Sequence, residues 1–445
     1  MIKQRISSFL LLFSLFFLLY VFYKSEIFWE GNKRNYYLIY YFISILLIFY
    51  SVILFFVGKK IREYLLISTL SVIFALYLSE GYITIQDLSN SNLKINKEKR
   101  KKIKIYEKTT GKKYDQRTQS EIYKDLKKKD NKITISYLPY SNIKKKNDFF
   151  PLSGVSNIKT IMCNENGYYA IYNSDRYGFN NPDKEWDQSE IEYLLVGDSY
   201  LQGYCVNRPN DMTSVLRKLS NKSALNLGLG GNGPLIQYAG LREYLKPKVK
   251  KIIWIYFEGN DIENLSKELD NPILNKYLTD YNHSQRLLFK QKKIDLYAQK
   301  FIDKAVNEAK SPEFNFLYFI KLSKIRGILN KFLPEKNQPQ RNVIQIPKEF
   351  IEVLKQAQSL AIENNSKIYF VYLPHDNRFF EDYDDTNYFL VKKIVKELKI
   401  DLIDIKEIFE NEKDPMLYYP FEIGGHLNEK GYNRVANIIF DNTKD

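Results

Sequence analysis

Apolar runs in this sequence stop at residues with chemical potential. LLVGDSYLQG ends in Ser199, NLGLGGN carries Gly228, Gly230 and Gly231, FEGND carries Asn260, and GGHLN carries His426. A serine hydroxyl attacks an ester carbonyl near neutral pH only if a base removes its proton. Imidazole is the side chain best suited to take that proton and return it to a leaving group. Taken singly, Gly, Asn, Asp and Ser at the end of an apolar run are ordinary turn residues, so the elements that carry them decide whether they meet.

From Glu192 onward, short apolar runs alternate with amphipathic ones. EYLLVGDS, ALNLGLGG, KIIWIYFEGND, KIYFVYLP and IDLIDI read as buried strands. MTSVLRKLS, GPLIQYAGLREYLK and PKEFIEVLKQAQSLAIENN read as the helices between them. This alternation predicts an α/β domain over 187–445, with a parallel sheet covered on both faces. A mostly helical insertion over 262–345 interrupts it, with KELDNPILNKYL and DLYAQKFIDKAVNEAK as its clearer helices. Ligands of such sheets sit beyond the carboxyl ends of the strands, where the residues above fall.

In order, GDS, E-G-N-D and H-x-N-x-x-G resemble the SGNH (GDSL-type) hydrolase superfamily, over about Glu192–Asn437. The resemblance implies a flavodoxin-like three-layer α/β/α fold and an ester-cleaving activity without a cofactor. It makes Ser199 the nucleophile and His426 the base. The N–H of Ser199, the N–H of Gly231 and the amide of Asn260 would receive the oxyanion, with Gly228 and Gly230 as near alternatives to Gly231. Loss of one such donor costs about 10²–10³ in turnover. The family usually has an Asp two or three residues before the histidine, orienting the imidazole. Here those positions hold Gly424 and Ile423, and the nearest carboxylates are Glu422 and, further back, Asp414. Three readings stay open: Glu422 substitutes, a backbone carbonyl orients His426 in a Ser-His dyad, or the site is weak. His283 falls in the insertion, and His375 ends the fourth strand at the substrate mouth.

The preceding SDRYGFNNPDKEW is similar to lead-ins of membrane-anchored bacterial members with surface-polysaccharide functions. Both cysteines gain meaning from the alignment: Cys205 follows the nucleophile and Cys163 lies in the loop-rich lead-in, so a Cys163–Cys205 disulfide would pin that segment beside the site. Count alone leaves two unrelated thiols equally open.

The amino-terminal part is different in kind. Apolar stretches at about 6–23, 36–58 and 64–83 each approach the roughly 20 residues a transmembrane helix needs, which makes 1–83 a membrane region. Lys3, Arg5, Lys59, Lys60 and Arg62 favour a cytoplasmic amino terminus and second loop, while Lys24, Lys33 and Arg34 of the first loop are diluted by Glu26 and Glu30. Three spans then put everything after Ile83 outside the cytoplasm of a bacterial inner membrane. Residues 84–186 read as a basic stalk, weakly periodic from Asp87 to Lys146, followed by the lead-in. The net charge of +15 reflects a Lys-rich chain, and no recognised motif or regular aromatic interleaving supports nucleic-acid binding. Three histidines so spaced and two cysteines make no metal set, and NLGLGGNG lacks the frame of a dinucleotide loop.

The expectation is therefore a membrane-anchored, extracytoplasmic serine esterase cleaving O-acyl, chiefly O-acetyl, esters on a carbohydrate or surface polysaccharide. Its rivals are a polysaccharide O-acyltransferase using the same site, and a non-catalytic scaffold binding glycan or lipid.

Overall fold

The computed structural model describes residues 2–29, 31, 34–145, 148–308, 316–332, 346–380 and 383–444. Three helical stretches are long and apolar enough to cross a membrane: Ser7–Phe28, Tyr36–Phe56 and Lys59–Gln86. The third does not end where its apolar stretch does. It runs as one helix of 52 residues, Lys59–Thr110, so the first part of the expected stalk is helical. No Gly or Pro interrupts residues 87–110, and Lys and Glu are good helix formers. The helix stops where Gly111 takes φ +66°, the left-handed conformation that ends many helices.

The chain divides into two compact units, residues 1–92 with 314–335, and residues 93–313 with 336–445. The lead-in thus belongs with the sheet, and no boundary falls at 186. Part of the insertion groups instead with the apolar helices: buried Glu80 accepts the N–H groups of Lys324 and Ile325, both at 2.9 Å, at the start of helix Ser323–Phe332. The described parts of the insertion are largely helical, and 309–315 and 333–345 of that expectation lie outside the described residues.

In the second unit, a small sheet joins β1 (Ile133–Ile135), β2 (Lys159–Ile161) and β3 (Ile171–Asn173). The main sheet contains β4 (Ile191–Val196), β5 (Ala224–Asn226), β6 (Val249–Phe257), β7 (Lys367–Leu373) and β8 (Asp401–Asp404), all parallel, in the order β5-β4-β6-β7-β8. This is the flavodoxin-like order, in which the connection reverses direction beside β4 and opens a crevice there. Its strands alternate faces as the pleat requires. Leu194, Val196, Ile252, Trp254 and Tyr256 pack toward helices Pro234–Tyr244, Lys348–Glu363 and Thr386–Glu397. Tyr193, Leu195, Ile253, Ile255 and Phe257 pack toward Met212–Ser220, Ile405–Glu410 and Glu429–Thr443.

Asp175 clasps the lead-in into one shape, and Asn181 joins it to this sheet. Fully buried, Asp175 accepts hydrogen bonds from Trp186 Nε1 (2.7 Å), Asn181 Nδ2 (2.8 Å) and the N–H groups of Tyr177 and Phe179 (both 2.9 Å). Asn181 in turn pairs with the β5 edge like a strand residue, its Oδ1 accepting from Asn226 N–H at 2.8 Å and its Nδ2 donating to Asn226 C=O at 2.9 Å. SDRYGFNNPDKEW is therefore an edge cover for the sheet. All four partners of Asp175 are donors, so Asp175→Asn sets an amide N–H against N–H groups. At pH 8, the urea midpoint of the detergent-solubilised protein, followed by tryptophan fluorescence, should fall by an amount equivalent to about 2–4 kcal/mol. An unchanged midpoint would show that Asp175 is not the clasp.

Candidate active site

Ser199 opens the short helix Ser199–Gln202 directly after β4. Asp198 caps that helix, its Oδ1 accepting the Tyr200 N–H at 2.9 Å, and Gly197 sits where a Cβ would meet Leu201 Cβ at 2.9 Å and Ile255 Cβ at 3.0 Å. The GDS turn is thus tight because strand and helix nearly touch. Ser199 Oγ lies 2.9 Å from His426 Nε2 and 3.3 Å from Asp198 Oδ2. These two acceptors compete for one hydroxyl proton, and the shorter contact favours the imidazole. The rings of Tyr200 and Tyr204 flank His426, with centroids 4.8 Å and 4.7 Å away.

The other ring nitrogen of His426 finds a carboxylate that the sequence reading did not name. His426 Nδ1 is 3.0 Å from Glu165 Oε1, and the His426 backbone N–H donates to Glu165 Oε2 at 2.7 Å. Burial works against the charged form of Glu165, but the His426 side chain and N–H, with the nearby Lys102 charge, hold its carboxyl below the ordinary value. A carboxylate on Nδ1 puts the proton there and leaves Nε2 free to accept one from Ser199. Glu422 does not take this place. It stands with Phe421 at positive φ and lines a shallow surface cavity with Tyr106, Tyr168 and Glu429. Asp414 caps the short helix Pro415–Tyr418.

The departure at Gly424 has a steric cause, which Gly425 beside it shares. Both residues have positive φ, +116° and +121°. A Cβ on Gly425 would stand 2.6 Å from Glu165 Oε2, and one on Gly424 would stand 2.3 Å from Asp376 Oδ2. Asp376 accepts the Gly425 N–H at 2.8 Å and contacts His375 Nδ1 at 2.8 Å. Two carboxylates from distant segments thus grip the histidine loop, and only glycines leave them room.

Gly231 and Asn260 lie beyond β5 and β6, the two neighbours of β4. Gly231 takes φ +76°. Asn260 begins helix Asp261–Glu268 without using its side chain to cap it, and its buried Oδ1 has no hydrogen-bond partner among the described residues. The two loops are tied together: Asn264 Nδ2 donates to Gly231 C=O at 3.2 Å, and Glu268 accepts the N–H groups of Gly233 (2.6 Å) and Leu235 (2.9 Å). Gly228 and Gly230 serve close packing against Leu201 and Leu138 respectively. His283 stands apart, its ring against Tyr277. Among the described residues no group of histidine, cysteine, aspartate and glutamate could hold a metal ion.

No family model and no curated protein matches the sequence. Solved structures do. A protein assigned to the lipolytic G-D-S-L family from Desulfitobacterium hafniense DCB-2 is 14% identical, over 56% of this chain and 98% of its own, with a TM-score of 0.31. The lipase/acylhydrolase from Enterococcus faecalis is 13% identical over 57% and 94%, with a TM-score of 0.32. The acetyl xylan esterase AlAXEase is 13% identical over 57% and 100%, with a TM-score of 0.29. Likeness this distant leaves the chemistry to the site's own geometry.

Glu165 had a signal in the sequence. It lies two residues after Cys163, and Cys163 and Cys205 are joined in a disulfide, Cα atoms 4.9 Å apart. A carboxylate so close to one end of a bridge whose other end follows Ser199 is placed near the site by connectivity. Gly425→Ala should displace Glu165 and lower kcat on p-nitrophenyl acetate by about 10–10², whereas Glu422→Gln should change it less than about twofold. The reverse ranking would return the orienting role to Glu422.

Proposed function

We propose that this chain is a membrane-anchored serine esterase whose catalytic unit faces away from the cytoplasm and removes O-acyl groups, chiefly O-acetyl, from a carbohydrate or surface polysaccharide. The observation that carries this reading is the chain of contacts Ser199 Oγ to His426 Nε2 at 2.9 Å and His426 Nδ1 to Glu165 Oε1 at 3.0 Å. In the first half-reaction Ser199 Oγ bonds to the ester carbon as its proton moves to His426 Nε2. The carbonyl oxygen takes the negative charge, which the N–H groups of Ser199 and Gly231 and the Asn260 amide are suited to receive. Collapse expels the sugar alkoxide, which takes the proton from His426. A water then repeats the sequence on the acyl-serine. Glu165 keeps the productive tautomer and stabilises the imidazolium without itself accepting the proton.

A small acyl group is supported by Ser199 being only 7% exposed, with Tyr200 and Tyr204 closing around the imidazole. The carbohydrate substrate is supported by the family resemblance and by the three apolar helices, since a tethered enzyme acts on what lies at the membrane. The outward orientation is supported by Lys59, Lys60 and Arg62 in the tight loop between the second and third apolar stretches and by a disulfide, which persists in oxidising compartments.

A fluorophosphonate probe should label the wild type and fail on Ser199→Ala and His426→Ala, and Glu165→Gln should lower kcat by about 10²–10⁴. Absence of labelling in the wild type would remove the esterase reading. A carboxyl-terminal alkaline phosphatase fusion should be active in intact cells, and a fusion active only as a cytoplasmic reporter would reverse the orientation.

A further inference from the structure

Glu165 reaches His426 from a hairpin outside the main sheet, so something must hold it there. The hairpin is closed by Met162 N–H to Ala170 C=O (2.8 Å) and Ala170 N–H to Cys163 C=O (3.0 Å). Asp115 holds its turn, the N–H donating to Gly167 C=O at 2.9 Å and the C=O accepting Asn164 Nδ2 at 2.7 Å, and the hairpin is attached on two further sides. On one, Cys163 is bonded to Cys205, which is fully buried, and Asn166 Nδ2 donates to Cys205 C=O at 3.0 Å. On the other lies the end of helix Lys59–Thr110. The Tyr106 ring occupies the place where a Gly167 Cβ would stand, 2.3 Å from its nearest atom, and Lys102 Nζ donates to Gly424 C=O at 3.3 Å. Of these attachments only the disulfide is covalent, and it joins the segment carrying the orienting carboxylate to the segment carrying the nucleophile.

We propose that the Cys163–Cys205 disulfide is a positioning element of the active site, which makes turnover depend on the oxidation state of this pair. The proposal rests on the esterase reading above. With the bond closed, Glu165 is held on His426 Nδ1. Reduction by an external dithiol delivers two electrons and two protons: the S–S bond breaks, two thiols form, and the dithiol leaves as its own disulfide. Cys163 is partly exposed, and its sulfur is the one an incoming thiolate meets first. The hairpin then keeps only noncovalent contacts, and the carboxylate is free to leave the imidazole. Such an enzyme is weak where thiols are kept reduced and gains its full rate in an oxidising compartment.

The test uses the full-length protein in detergent, oxidised or reduced with dithiothreitol, with p-nitrophenyl acetate as substrate. Reduction should lower wild-type kcat by about tenfold or more, toward the rate of Glu165→Gln. It should change the Glu165→Gln rate less than about twofold, because the bond acts through Glu165. Cys163→Ser should behave like reduced wild type, and chemical reduction suffices if that variant does not accumulate. An unchanged rate in reduced wild type, or an equal fractional loss in Glu165→Gln, overturns the proposal. A second readout needs no turnover. With three histidines in the chain, the ¹⁵N shifts of His426, assigned by its loss in His426→Ala, report whether Nδ1 carries the proton. A fixed Nδ1–H that is lost on reduction supports the proposal, and a tautomer indifferent to reduction overturns it. If the oxidised protein cleaves no ester and takes no probe, the esterase reading fails, and the histidine shifts alone decide the positioning role.

Discussion

One imidazole, held between a carboxylate and a hydroxyl, sets the demands on the rest of the catalytic unit. His426 Nδ1 and N–H both meet Glu165, so the ring is fixed by two bonds to one side chain rather than by one. That arrangement needs three segments far apart in sequence to converge within hydrogen-bond distance: the hairpin of Glu165, the strand end of Ser199 and the loop of His426. It also needs a backbone at Gly424-Gly425 that no side chain obstructs. Hydrogen bonds of this kind lose most of their value when displaced by an ångström, so the scaffold has to be stiff where these segments are attached.

Buried acids and one arginine, each held by several hydrogen bonds, supply much of that stiffness. Asp175 holds Asn181 where it pairs with the β5 edge, and Glu268 ties the Gly233 turn to the helix that Asn260 opens. Arg378 does the same around His375, binding Glu258 through Nε at 2.9 Å and Nη2 at 2.8 Å while Glu258 also accepts the His375 N–H at 2.6 Å. Each of these groups would be costly to leave unpaired in the interior, so each fixes one loop conformation among the many a polar loop could adopt. The five-stranded sheet provides the common platform, and the buried acids and arginine fix what stands on it.

The strands of that platform were legible because their apolar runs are long, β-branched or aromatic, and bounded by glycine and asparagine. The same signal located the loop ends bearing Ser199, Gly231 and Asn260. The helix Lys59–Thr110 was read short, since a change from apolar to basic residues looks like a boundary although nothing in the backbone chemistry breaks there. Glu165 was missed for a different reason. A search outward from His426 along the chain finds Glu422, whereas the one pointer to Glu165 is its nearness to Cys163, far from His426 along the chain. The role of SDRYGFNNPDKEW as an edge cover was likewise invisible, because pairing of Asn181 with Asn226 is a side chain imitating backbone.

The glycine pair also bears on how such a site can change by substitution. A carboxylate placed at Gly424 would not simply add a second orienting acid. Its Cβ would enter the space of Asp376, its φ would be strained, and its charge would lie near two carboxylates already in place. A carboxylate at that position therefore requires Glu165, Asp376 and the histidine loop to change together, so the loop and the two segments that grip it behave as one unit under substitution.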